Sequence, residues 1–228
     1  MNASQQNGFT LWELLVTLLI AGVVIGIGVP NMMEFQRNNA NVAAANNLVT
    51  GLLMARAEAV KRQVPVTLCL SDNPNAATPT CSPNPVANSG TRGFIVWVDE
   101  NGNLNPVTQA PILTDATDGN RAVDANETVL MRSAAPGGTI QLSASCGNVS
   151  YGPNGYPRTA GPGACATPTP VVVLYCDDRG NRATTGQVST ARVIQIDRVG
   201  RGQVLQELAD VTNAIANPPL SGVGPNCP

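Results

Sequence analysis

The chain has 228 residues, a formal net charge of −2, 12% charged and 4% aromatic side chains, and no histidine. That length suits one domain of moderate size beside any anchor, and the near-neutral charge gives no electrostatic case for nucleic acid as the main partner. Without His the commonest general base and metal ligand is missing, so no enzymatic site, no metal and no cofactor is expected.

In chain order, a short polar stretch, Met1 to Gly8, runs into an almost purely apolar segment that ends at Pro30. From Phe9 to Val29 the only ionisable side chain is Glu13. A helix over this span is about 30 Å long, which matches a bilayer core. A charge inside such a segment is costly and is by default a functional residue with a partner. A cleavable secretory signal fits poorly. The apolar run is too long, no Lys or Arg precedes Glu34, and the exit reads Val29-Pro30-Asn31. A plain single-span anchor fits better, yet it leaves Glu13 without a reason.

Pro30 removes one backbone hydrogen bond and is expected to kink the rod rather than end it. Asn31 to Arg62 reads as helix again. Val42, Ala45, Val49, Leu52, Leu53, Ala59 and Val60 recur at spacings of three and four, an Ala-rich face suited to close approach to a sheet. Gly51 weakens this helix by about 1 kcal/mol relative to Ala. Val64-Pro65 closes it.

After Pro65 the texture changes to short β-type runs between turn clusters. Strands are expected at Val66–Leu70, Gly93–Asp99, Thr128–Arg132, Thr139–Leu142, Asn148–Tyr151, Val171–Cys176 and Arg192–Asp197. Ser71 to Gly90 reads as a Pro/Asn/Ser loop. From Val204 a short helix with Leu205, Leu208, Val211 and Ile215 competes with a strand at Gln203–Leu205. The resulting fold class is α+β: a long kinked N-terminal helix packed on an antiparallel β domain with disulfides. The expected divisions are 1–8, 9–30, 31–63 and 64–228.

Six cysteines, Cys69, Cys81, Cys146, Cys165, Cys176 and Cys227, all follow the apolar segment. An even number, wide spacing and no His favour disulfides over zinc, and no C-x-x-C occurs. Disulfides place everything after Pro30 in an oxidising compartment, which sets the topology as N-in, C-out. Fifteen pairings exist. Cys69 with Cys81 closes a short loop and is the favoured pair. Cys146 with Cys165 and Cys176 with Cys227 follow by elimination.

Other candidate sites are weaker. Asp177 and Asp178 are adjacent acids, and neighbouring side chains on a strand point to opposite faces, so a solvated turn is expected. Ser143 and Ser145 have no His for a triad. Five arginines between Arg179 and Arg201 accompany Asp177, Asp178 and Asp197. Arg192, Arg198 and Arg201 are the candidates for phosphate contact.

Gly8, Phe9, Glu13 and Pro30 stand at the spacing of the type III signal of type IV pilins and pseudopilins, which the N-terminal block resembles. The resemblance implies cleavage after Gly8 by a prepilin peptidase, N-methylation of Phe9, an assembly role for Glu13 and a helix bend at Pro30. Leu53 to Arg62 with Pro65 to Cys69, Gly93 to Asp99, Val149 to Pro157 and Gly200-Arg201 are similar to the FimT/FimU and GspH group of minor pilins. Membership there implies a single-pass anchor in the inner membrane, a periplasmic C-terminal domain and incorporation into the pilus. It also implies other minor and major pilins and the inner-membrane assembly platform as partners. The implied role is in a tip or priming complex that starts pilus assembly. The alternative is a minor pseudopilin of type II secretion. FimT-type pilins include DNA-binding members with a Gly-Arg-x-Arg motif; here Gln203 replaces the second Arg, so DNA is not favoured.

Overall fold

A computed structural model of the chain describes residues 8–82, 86–99, 123–124, 127–158, 170–217 and 220. The chain divides into two units, Met1–Asn39 and Ala40–Pro228. One helix, α1 (Leu11–Arg62), supplies backbone to both.

In the first unit α1 runs through Pro30 rather than ending there. Pro30 lacks the amide that would reach the carbonyl one turn back. At the next position the Asn31 side-chain amide donates to the Ile27 carbonyl at 3.1 Å, and Thr17 Oγ1 donates to the Leu14 carbonyl at 2.9 Å. Both side chains thus turn their polar groups onto carbonyls of the helix itself, as a non-aqueous surrounding favours.

Among the described residues the second unit has nine strands. They are β1 (Val66–Ser71), β2 (Val86–Ser89), β3 (Gly93–Val98), β4 (Val129–Ser133), β5 (Gln141–Ala144), β6 (Asn148–Tyr151), β7 (Val171–Cys176), β8 (Val188–Ile196) and β9 (Gly202–Glu207). One sheet has the order β4-β3-β1-β6 and the other β2-β5-β7-β8-β9. All pairings are antiparallel, with Val66 opposite Val98 and Val173 opposite Ile194 setting the two registers. The α+β class expected from the sequence is the class observed. Two details differ. The stretch read as a loop from Ser71 to Gly90 contains β2, an edge strand whose Val-Ala-Asn-Ser composition carries little β signature. The competition after Gln203 resolves into both elements, β9 and then α2 (Leu208–Ala216).

From Ala45 onward α1 covers the inner faces of both sheets. Ala45, Leu48, Leu52, Ala55 and Ala59 pack with Leu68, Leu70, Phe94 and Val96 from one sheet and Leu142, Val173, Ile194 and Ile196 from the other. The outer face of the second sheet, with Val172, Leu174 and Val193, is covered by Val211, Ala214 and Ile215 of α2. The helical periodicity read as one face in fact contains two. Val42, Leu53 and Val60 are exposed by 37%, 60% and 45%, and Val49 is half-buried.

Gly51 is part of the packing rather than a weakness. A Cβ there would stand 2.6 Å from Phe94 Cε2 and 3.0 Å from Leu68 Cδ1. Its bare backbone lets β3 and β1 approach the helix. Cys69 and Cys81 form a disulfide, beside buried Ile95 and Trp97. Cys146 and Cys176 are also disulfide-bonded, and no described cysteine is a free thiol. The pairings expected for them involve Cys165 and Cys227, which lie outside the described residues.

Gly51→Ala discriminates between the two readings of that position. Helix propensity alone predicts a gain of about 1 kcal/mol. The Phe94 contact predicts instead a loss of about 1–3 kcal/mol by overpacking. Denaturant unfolding of the detergent-solubilised protein gives the sign, and destabilisation is the expected outcome.

Candidate functional site

Every residue from Gly8 to Arg37 is exposed. The apolar side chains of this segment, such as Phe9 at 85% and Trp12 at 73%, have no cover within the chain. Among the described residues α1 is the one helix long and apolar enough to cross a membrane. Exposed apolar surface on this scale requires lipid or other helices around it.

Glu13 sits at the start of this surface and is not bare. Thr10 Oγ1 accepts from the Glu13 amide at 3.2 Å. In return, Glu13 Oε2 accepts from the Thr10 amide at 3.2 Å and from the Thr10 hydroxyl at 3.1 Å. This is a reciprocal capping box, Thr-x-x-Glu, which satisfies donors that the first turn otherwise leaves open. Its anionic end also lies at the positive end of the helix dipole. Thr10 joins the site through a local signature, a Ser/Thr three residues before a Glu at the head of an apolar run.

The adjacent acids at the end of β7 part company. Asp178 is exposed and accepts from Thr139 Oγ1 at 3.1 Å. Asp177 turns inward and is 1% exposed, so the solvated turn expected for the pair holds for Asp178 alone. The Asp177 carboxylate accepts from Arg179 Nη2 at 2.6 Å, the Arg179 amide at 3.0 Å and Asn41 Nδ2 at 3.0 Å. Asn41 Nδ2 also reaches the Thr190 carbonyl at 3.1 Å. The acid therefore fastens α1 to β7 and β8. Burial pushes its pKa up, and the Arg179 and Asn41 hydrogen bonds outweigh that, holding the carboxyl below its ordinary value.

The three candidate arginines are not brought together. Arg192 is buried at 7% exposure and donates to the Ser189 and Ala191 carbonyls. Arg198 and Arg201 are exposed in the turn joining β8 to β9. Arg201 Nε lies 3.2 Å from Asp197 Oδ2. Asp197 Oδ1 accepts the amides of Val199 at 3.0 Å and Arg201 at 2.9 Å. The turn is clamped from below. Gly200 has φ +79°, and a Cβ there would stand 2.5 Å from Tyr151 Cε1. The buried Tyr151 hydroxyl donates to the Gly200 carbonyl at 2.8 Å.

Asp177 gives a pH dependence with a defined sign. Because its pKa is lowered in the fold, its stabilisation is complete above the ordinary carboxylate value of about 4 and is lost as pH falls through the lower folded value. Thermal unfolding midpoints should therefore fall between about pH 5 and pH 2. Asp177→Asn should lower the midpoint at pH 7 and flatten this acid limb. An acid limb unchanged by the substitution would contradict the role.

The sequence matches known families in two blocks. Residues 3–29 match the model of the prokaryotic N-terminal methylation motif. Residues 44–200, more than half of the chain, match the model of the type II transport protein GspH family. No curated protein matches the chain by sequence. Among solved structures, the type IV minor pilin FimU of Pseudomonas aeruginosa is similar at 16% identity and TM-score 0.42, covering 77% of this chain and 94% of FimU. The minor pseudopilin EpsH of the Vibrio cholerae type 2 secretion system is similar at 10% identity and TM-score 0.34, covering 73% of this chain and 96% of EpsH. The chain belongs to the GspH family, and with its methylation motif and apolar α1 it is a membrane-anchored subunit of the minor type IV pilin and pseudopilin group.

Proposed function

We propose that this protein is a minor type IV pilin that joins other minor pilins in the tip or priming complex from which a pilus grows. The observation that carries the reading is the fully exposed apolar start of α1 with Glu13 as its single ionisable group. Such a helix is stored in the inner membrane and then transferred into a bundle of neighbouring helices, because both surroundings cover the same surface. Cleavage after Gly8 creates a free amine on Phe9, and methylation leaves that amine basic. Glu13 of one subunit then pairs with the Phe9 amine of the next, a charge-assisted contact that fixes axial register. Pro30, which has no amide to donate, is the position at which the anchor helix can bend. In the periplasmic domain the sheets carry partner specificity, and the disulfides suit the oxidising compartment.

A second reading places the same subunit in the filament of a type II secretion system, favoured by the description of the matching family. The physics of anchoring is unchanged, and only the machine differs. Deleting the gene should abolish surface pili under the first reading and protein secretion under the second. Capture of DNA has less support, since Arg192 is turned inward and Arg201 is already paired.

Processing is tested by N-terminal mass spectrometry of the membrane-extracted protein. The expected first residue is methylated Phe9, and a bulky residue in place of Gly8 should block the cut. An intact Met1 in cells with an active prepilin peptidase would end the reading. Glu13→Ala should insert into the membrane at least as well as the parent chain, because a charge has left the apolar segment. Its recovery in sheared filaments should fall by about tenfold or more if the pairing is worth a charge-assisted hydrogen bond of about 1.5–3 kcal/mol. Recovery at the parent level would exclude the pairing.

A further inference from the structure

The large apolar side chains exposed on the second unit are not scattered. Among the described residues they are Val42, Leu53, Val60, Tyr156, Val199 and Val204. Val42, Leu53 and Val60, with half-buried Val49, fall within about 40° of one another around an ideal helix. That stripe looks toward one edge of the structure. Beside it, a Cβ on Gly202 would stand 3.0 Å from Leu52 Cδ1 and 3.7 Å from Val49 Cγ2. A Cβ on Gly155, next to Tyr156, would stand 3.0 Å from Val60 Cγ2. The helix stripe, the 152–157 loop and the start of β9 therefore border one surface.

Among the described residues β9 closes its sheet on this side and pairs with β8 alone. The Asp197 amide donates to the Arg201 carbonyl at 3.1 Å. That bond sets the pleat, so Gln203 and Leu205 turn their backbone groups toward β8 while Gly202, Val204 and Gln206 turn theirs outward. No described backbone group receives them. The strand Gly-Gln-Val-Leu-Gln-Glu carries no Lys, no Pro and no inward charge, and its register against β8 is regular from Gly202 to Leu205, the shift falling beyond Leu205, so this part of the edge is not blunted.

The two ends of this edge are complementary to each other. Arg201 precedes the strand; its Nε lies against Asp197, and its side chain is still 65% exposed. Glu207 ends it, stands at the N-cap of α2, and yet makes no side-chain capping bond. In an antiparallel pair of two such edges centred on Val204, the outward groups meet in register, with Gly202 against Gln206, Val204 against itself and Gln206 against Gly202. The same register places Arg201 of each copy directly opposite Glu207 of the other, on one face of the sheet. One register thus satisfies both the hydrogen bonds and the charges, and the interface is isologous.

We propose that two copies of this chain associate through β9, joining their five-stranded sheets into one continuous sheet about a two-fold axis at Val204. The apolar stripe of α1 overhangs the joint in each copy and is covered by the added strand. This goes beyond the filament reading, and neither a pilus nor a secretion filament requires it.

The test uses the full chain in its native membrane. Val204→Cys, oxidised mildly, should give a cross-linked dimer of twice the subunit mass, since hydrogen-bonded antiparallel partners have Cα atoms about 5.5 Å apart, within disulfide reach. Gln206→Cys should not self-cross-link, because the two positions would stand about 13 Å apart in this register. In the Val204→Cys background, Arg201→Glu or Glu207→Arg alone should lower the dimer yield by about tenfold through two like-charge pairs, and the double charge swap should restore it. A Val204→Cys chain that stays monomeric would overturn the proposal. So would equal cross-linking at Gln206→Cys, a swap that does not rescue, or a product whose mass is that of this chain joined to a different protein.

Discussion

One helix has to satisfy two solvents, and most of the structure follows from that constraint. From Ala45 to Ala59 the buried face of α1 is Ala, Leu and Gly, and two antiparallel sheets cover it. From Gly8 to Arg37 every residue is exposed. In the apolar stretch up to Asn31, Thr10, Glu13, Thr17 and Asn31 turn their polar atoms back on the helix that bears them. The segment is thus equipped for a surrounding that offers no hydrogen bonds. The second part draws its stability from the sheets, and Asn41 with Asp177 is where that tethering begins.

The β domain uses small residues where backbones must meet. Gly51 admits Phe94, Gly200 admits the Tyr151 ring, and Gly202 admits Leu52. Each lies where the helix or the last turn crosses a strand. The Tyr151 hydroxyl, held on the Gly200 carbonyl, links the end of the first sheet to the hairpin that closes the second. The exposed turn bearing Arg198 and Arg201 is therefore rigid in its backbone although its side chains face water.

Much of this was legible in the sequence because its strongest patterns are local. The apolar run with Glu13, the Val-rich strands β3 and β7, and the short loop between Cys69 and Cys81 announce themselves within a few residues. What stayed hidden depends on distant partners. Asp177 reads as one of two solvated acids until Asn41, 136 positions away, is placed beside it. Gly51 reads as a helix defect until Phe94 is seen against it. Arg192 reads as a surface cation because no local pattern says that a β8 side chain will fold onto the Ser189 and Ala191 carbonyls. The stripe of Val42, Leu53 and Val60 shares its spacing with the buried face, so periodicity alone merges the two. Thr10 differs from these, because its signal, the Thr-x-x-Glu spacing, is local.

The capping box at Thr10 and Glu13 bears on rates as well as energies. A carboxylate already held by two donors does not wait in the membrane as a bare ion. Any later partner must win it by exchange, one hydrogen-bonded arrangement for another, so the ion is never stripped of all its contacts on the way. The barrier to that exchange is the fraying of a single helical turn, a motion on the order of nanoseconds to a microsecond. On the proposed pairing, capture of Glu13 would then be limited by how often neighbouring subunits meet, and not by release of the charge.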